Sequence, residues 1–99
     1  MTRAMIYVDF NEMVESNLVL LSANDTKVDS CGESVLLHEG LEVLVYMNDG
    51  DDNGNVDNLV ASGVVERNTS TASWAARVKW CCRIDSIGIR HESELADGR

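Results

Sequence analysis

The sequence predicts a small all-β domain, an antiparallel barrel, and three observations carry that expectation. Short runs of Val, Leu and Ile alternate with polar residues at a period of two, as in Leu41–Met47 and Arg77–Asp85. Clusters of Gly, Asn, Asp and Ser separate these runs and supply turn chemistry. No segment sustains a long helical period, and 99 residues suffice for one modest core, so residues 1–99 form a single domain. With three Phe or Tyr and two Trp, that core must rest on Val, Leu, Ile and Met.

Arg3–Phe10 opens as a strand, with Ile6, Val8 and Phe10 on one face and Met5, Tyr7 and Asp9 on the other. Residues 11–21 support two readings. Leu18–Leu21 suits a buried strand after a turn, which is preferred. Alternatively Asn11 caps a short helix bearing Met13, Val14, Asn17, Leu18 and Leu21, which would make the fold α+β. Ser22–Glu33 reads as an exposed polar loop, Val35–Leu37 as a short apolar piece, and Glu39-Gly40 as a turn.

Leu41, Val43, Val45 and Met47 then alternate with Glu42, Leu44 and Tyr46. Leu59–Arg67 continues extended structure, with Leu59, Ala61, Gly63 and Val65 on one face. Glycine inside a strand marks a bulge or bend, and Gly63 is placed in that role. Thr69–Ser73 is a flexible link. Val78, Trp80, Cys82 and Ile84 form the apolar face of the next strand, opposite Arg77, Lys79, Cys81, Arg83 and Asp85. Asp85-Ser86-Ile87-Gly88 fits a type I turn with glycine last. Ile89–Glu92 returns as that strand's hairpin partner, and residues 93–99 are a frayed polar tail. The order strand, long loop, strand, link and hairpin over Leu41–Glu92 is similar in architecture to an SH3-like barrel.

Net charge is −9, unevenly spread. Residues 1–66 hold 13 acidic and 2 basic side chains, a net −11; residues 67–99 hold 4 acidic and 6 basic, a net +2. Nucleic acids and anionic membranes need clustered Lys and Arg, so both are excluded as partners. A basic protein, or a second copy meeting complementary patches, is compatible. No apolar run approaches the ~20 residues of a membrane span, and Met5–Val8 is too short for a signal-peptide core, so a cytoplasmic protein is expected. Three cysteines, Cys31, Cys81 and Cys82, cannot all pair within one chain, and reduced, inert thiols follow.

One loop offers an ion site. Asp49–Asp57 reads D-G-D-D-N-G-N-V-D. Asp49, Asp51 and Asn53 with Gly54 match the opening of a calcium-binding EF-hand loop, and Asp57 suits a later ligand position. The twelfth position, which needs a bidentate acid, falls on Val60. The expectation is therefore no tightly held cofactor and at most weak calcium at Asp49, Asp51, Asn53 and Asp57. The alternative is a solvated hairpin turn.

Other chemistries find incomplete sets. Paired acid/base carboxylates among Asp49, Asp51, Asp52 and Asp57 would need one member buried. Cys31, His38, Cys81, Cys82 and His91 include zinc ligand types without knuckle spacing. Cys81 between Lys79 and Arg83, facing His91 across the last hairpin, would make a nucleophilic pair lacking a third orienting group. Candidate binding residues are Arg77, Lys79 and Arg83 as a basic strip, with Tyr46 and Trp74 as exposed aromatics.

The leading expectation is a small, acidic, non-enzymatic binding or interaction domain that self-associates as a homo-oligomer, with another protein as the alternative partner. An immunity- or antitoxin-like inhibitor of a basic toxin is a second possibility. A small-molecule binder or enzyme is a third; it would place Cys81, His91 or a loop carboxylate in an apolar pocket, at a subunit interface.

Overall fold

The computed structural model describes residues 3–50, 53–70 and 72–97. Among the described residues nine strands and one short helix follow in chain order: β1 (Ala4–Tyr7), β2 (Met13–Glu15), β3 (Leu18–Ser22), β4 (Thr26–Val28), β5 (Ser34–Leu36), β6 (Glu42–Met47), β7 (Leu59–Arg67), β8 (Trp80–Ile84), β9 (Arg90–His91) and α1 (Glu92–Asp97). Seven of the strands form one sheet in the order β1-β6-β7-β8-β3-β2, with β9 on β7; β4 and β5 form a separate hairpin.

The mostly-β expectation holds, and the strand reading of residues 11–21 replaces the helix, since β2 and β3 occupy that stretch. Closure and pure antiparallel pairing do not hold. β1 lies parallel to β6, and β1 and β2 end the sheet without meeting among the described residues, so the sheet is mixed and open. Alternation fixes which side chains point inward but carries no information about partner or direction.

One core lies against the inner face. Ile6, Val43, Val45, Ala61, Val65, Cys82 and Val19 are drawn from five strands and join a single cluster with Trp80 and Ile84. A sheet whose separated strands share one cluster must coil around it. The register shifts that accompany this coiling lie between Met13 and Glu15 in β2 and between Leu20 and Ser22 in β3.

Gly63 is not a bulge: its register with Val43 and Ile84 is regular. A Cβ there would lie 2.5 Å from the Arg83 carbonyl oxygen and 2.5 Å from Cys82 Sγ, so glycine is required by close approach.

The Ser22–Glu33 loop contains β4, and Val35 and Leu37 from the β5 region pack on the core. The link after β7 is pinned. Asn68 Nδ2 donates to the carbonyls of Ala75 and Val78 at 2.9 and 2.7 Å, holding a 3-10 turn at Ser73–Ala75. That turn brings Ala75, with Ala72 and Val78, onto Leu18, Leu20 and Cys81, covering one half of the outer face. β8 therefore starts at Trp80, leaving Arg77 and Lys79 outside the strand.

The turn after β8 matches its expectation. The Gly88 amide donates to the Asp85 carbonyl at 3.1 Å, the Asp85 side chain accepts from the Ile87 amide, and Gly88 has φ +83°. The returning strand, however, pairs with β7, where Leu59 meets His91 and Val60 meets Arg90. After β9 the described chain continues as α1 to Asp97; residues 98 and 99 lie outside the described residues.

Candidate functional site

Outward-pointing residues of β1, β6 and β7 follow directly from the registers. Met5 lies beside Leu44, which lies beside Ser62; Tyr7 lies beside Tyr46, which lies beside Val60; Glu42 lies beside Val64. Most of these positions are apolar; Val60 is buried, Met5, Leu44 and Tyr46 are partly exposed, and among the described residues no hydrophobic cluster covers this half of the face as the 3-10 turn covers β3 and β8. Tyr7 remains 45% exposed and Val64 40%, and Ile87 in the adjoining turn is 65% exposed. The Tyr7 and Tyr46 rings meet edge to face, centroids 5.5 Å apart, which fixes both aromatics at this surface.

A cleft of about 90 Å³ opens in the same face, lined by Met5, Leu44, Val60, Ser62, Ile87 and Arg90 among others. Small-molecule sites run from roughly 300 Å³ upward, so this cleft suits one side chain better than a cofactor. A wider groove of about 460 Å³ runs past Asp9, Glu12 and Lys27. Its lysine is half-buried, its Nζ donates to the Leu21 carbonyl at 2.8 Å, and burial pulls its pKa down. Neither cavity is lined by Cys81, His91 or a loop carboxylate.

The basic strip does not assemble. Arg83 Nη1 donates to Glu15 at 2.9 Å and Nη2 to Glu66 at 2.7 Å, and the hydrogen bonds that Glu66 and then Glu15 accept raise its pKa further. Lys79 Nζ lies 2.6 Å from Asp25 and 5.6 Å from the Trp80 ring. That ion pair, with the indole N–H of Trp80, holds the Asp25 carboxyl below its usual range. Arg77 is exposed. Trp74 projects from the 3-10 turn, 57% exposed, beside the covered half of the sheet and apart from Tyr46. Of the five expected binding residues, Tyr46 belongs to the uncovered face and Arg83 stands at its edge, in register with Val64. Tyr7, Met5, Leu44 and Val64 belong there too. The signal for them was the second, half-apolar side of each alternating strand.

The thiols are poorly placed for chemistry. Cys81 and Cys82 have no exposed surface; burial pushes them up to about 11 and about 12. Cys81 pairs in register with Glu66, and His91 with Leu59 on the same strand, a separation of about 23 Å along β7. The Cys81–His91 pairing weighed from the sequence is therefore not formed. Titration of the native protein with an aromatic disulfide reagent should modify Cys31, which is exposed, and spare the other two until denaturant is added. Rapid reaction of all three native thiols would contradict this burial.

The acidic loop is closed by the C-terminal segment. Gly50 bridges Val56, and the Asp57 amide donates to the Asp49 carbonyl at 3.1 Å. His91 Nε2 lies 2.9 Å from Asp49 Oδ2, and Nδ1 lies 3.4 Å from Glu94. Both Asp57 oxygens accept from Ser93, from its amide at 3.0 Å and its hydroxyl at 2.8 Å. Asp49 and Asp57 thus face a helix start, and a calcium ion would have to compete with these bonds. Asp51 lies outside the described residues, as does Asp52. Among the described residues no group of three or more His, Cys, Asp or Glu is set to hold a metal ion. The Ser93 hydroxyl is committed to Asp57.

This latch carries a pH dependence. The Asp49 hydrogen bond raises the His91 pKa, so its contribution is complete below the ordinary value of 6.5 and is lost as pH rises through the raised one. Asp49 is lowered chiefly by His91, and Glu94 chiefly by the His91 amide; their contributions exist above the ordinary carboxylate values and are lost as pH falls. Grip is therefore strongest in mildly acidic solution. Hydrogen exchange at the His91 and Asp57 amides, corrected for intrinsic rate, should quicken as pH rises above 6.5 and through the raised His91 value. A His91→Gln variant should lose that dependence; an unchanged profile would dismiss the latch.

Among the described residues no helix is long and apolar enough to cross a membrane. No family model matches the chain, and no curated protein or solved structure is significantly similar to it.

Proposed function

We propose that the chain is a small, non-enzymatic protein-interaction module that binds a partner of complementary positive charge. The observation that carries this reading is the fate of the cations. Arg83 is shared between Glu15 and Glu66, Lys79 is held by Asp25, and Lys27 is half-buried on a backbone carbonyl. Three of the eight cations are committed in this way, and 17 acidic side chains against 8 basic ones give the chain an acidic field of net −9. Such a field steers a basic protein and repels a second copy. An inhibitor of a basic toxin, of the immunity or antitoxin kind, is one form this module would take. The buried, raised thiols and the committed Ser93 hydroxyl support a non-enzymatic role.

Calorimetry against the basic proteins encoded by adjacent genes tests this. Binding should weaken by about tenfold or more on passing from low to physiological ionic strength. No binding to any of them, or binding indifferent to salt, would overturn the reading.

A further inference from the structure

We infer that the outer face of β1, β6 and β7 is the docking surface, and that its occupant is the apolar side of a basic amphipathic segment of the partner. The inference rests on the charge-guided reading above and adds where and how the partner sits. Met5, Tyr7, Leu44 and Tyr46 are neighbours in register on β1 and β6, Val64 lies on the same face of β7 beyond Ser62 and Glu42, and Ile87 stands at the border. The sheet's other half is treated differently, since the 3-10 turn seals Leu18, Leu20 and Cys81. Leaving one half open exposes aromatic and aliphatic surface to water, as docking faces do.

The occupant follows from what frames this surface. Exposed Glu42 stands in register with Val64, and exposed Asp85 lines the cleft beside Ile87. Beyond Val64, Arg83 is outnumbered by Glu15 and Glu66. Of the cations at the border, Arg90 donates to the Glu94 carbonyl at 3.3 Å. An apolar centre with an acidic frame complements a segment that presents apolar side chains centrally and Lys or Arg at its margins. The cleft has room for one such apolar side chain. A second copy would bring the same acidic frame against itself.

Three octapeptides serve as probes: alternating Leu-Lys, Ser-Lys and Leu-Glu, each titrated calorimetrically at low ionic strength. Leu-Lys should bind, with Ser-Lys and Leu-Glu each at least about tenfold weaker, one decade of Kd. A Val64→Ser, Ile87→Ser double variant changes exposed positions without altering charge, so it should keep the native melting curve. It should weaken Leu-Lys by about tenfold and leave Ser-Lys unchanged. Equal binding of Leu-Lys and Ser-Lys, indifferent to the double variant, would overturn the face while leaving the charge reading intact. Failure of both cationic peptides to bind would overturn the charge reading and the inference with it. Equal binding of Leu-Glu, or a dimer formed by the free protein and lost in the double variant, would overturn the basic occupant.

Discussion

Gly63→Ala should lower the unfolding free energy by about 3 kcal/mol, a large effect for the addition of one methyl group. The new Cβ would meet two atoms at 2.5 Å, the Arg83 carbonyl oxygen and Cys82 Sγ. Neither is the free end of a flexible chain. The carbonyl belongs to β8, and Cys82 is fully buried in the main core. Relief requires moving β8 away from β7, where residues 63–67 pair with 80–84. Cys82→Ala removes one of the two collisions, so Gly63→Ala should cost less in that background yet still destabilise. Urea melts of the four proteins give the cycle. A loss below about 1 kcal/mol for Gly63→Ala alone would mean that β8 lies farther from β7 than described.

Trp80→Ala should cost about 3–5 kcal/mol, the usual range for emptying a buried aromatic site. Trp80 is 5% exposed and belongs to the main core. Its indole N–H donates to Asp25 Oδ1 at 3.1 Å, and Arg67 lies 5.1 Å from the ring. The residue thus closes the core, anchors the turn that precedes β4 through Asp25, and carries cations on its surface. Trp80→Phe keeps most of the apolar volume and loses the donor, so it should cost markedly less than alanine. A loss below about 1 kcal/mol for alanine would place the ring outside the core.

Both effects depend on features of unequal visibility in the sequence. The inward positions Val43, Val45, Ala61, Val65, Trp80, Cys82 and Ile84 are legible because a half-buried strand imposes a period of two. The Asp85–Gly88 turn is legible because its chemistry is local. Gly63 is visible as an anomaly, but its cause is a contact with residues about twenty positions away, which local pattern does not encode. The parallel pairing of β1 with β6 is equally non-local. So is the latch on the acidic loop: Ser93 and His91 look like surface residues until β9 is seen against the start of β7. The ion pairs of the basic strip are non-local too, since Glu15 and Glu66 reach Arg83 from other strands and Asp25 reaches Lys79 from the turn before β4. The uncovered face was half-legible. Tyr46 stood out as an exposed aromatic, whereas Tyr7, Leu44 and Val64 needed the registers to bring them together.

The most direct test of the docking account is an amide chemical-shift titration of the labelled protein with the Leu-Lys octapeptide. The account predicts that the resonances that move most are those of Met5–Tyr7, Leu44–Tyr46, Val60–Val64 and Ile87–Gly88. Resonances of the 3-10 turn and the β4–β5 hairpin should stay in place. Largest shifts in the Asn53–Asp57 loop, with the β1-β6-β7 resonances unmoved, would contradict it.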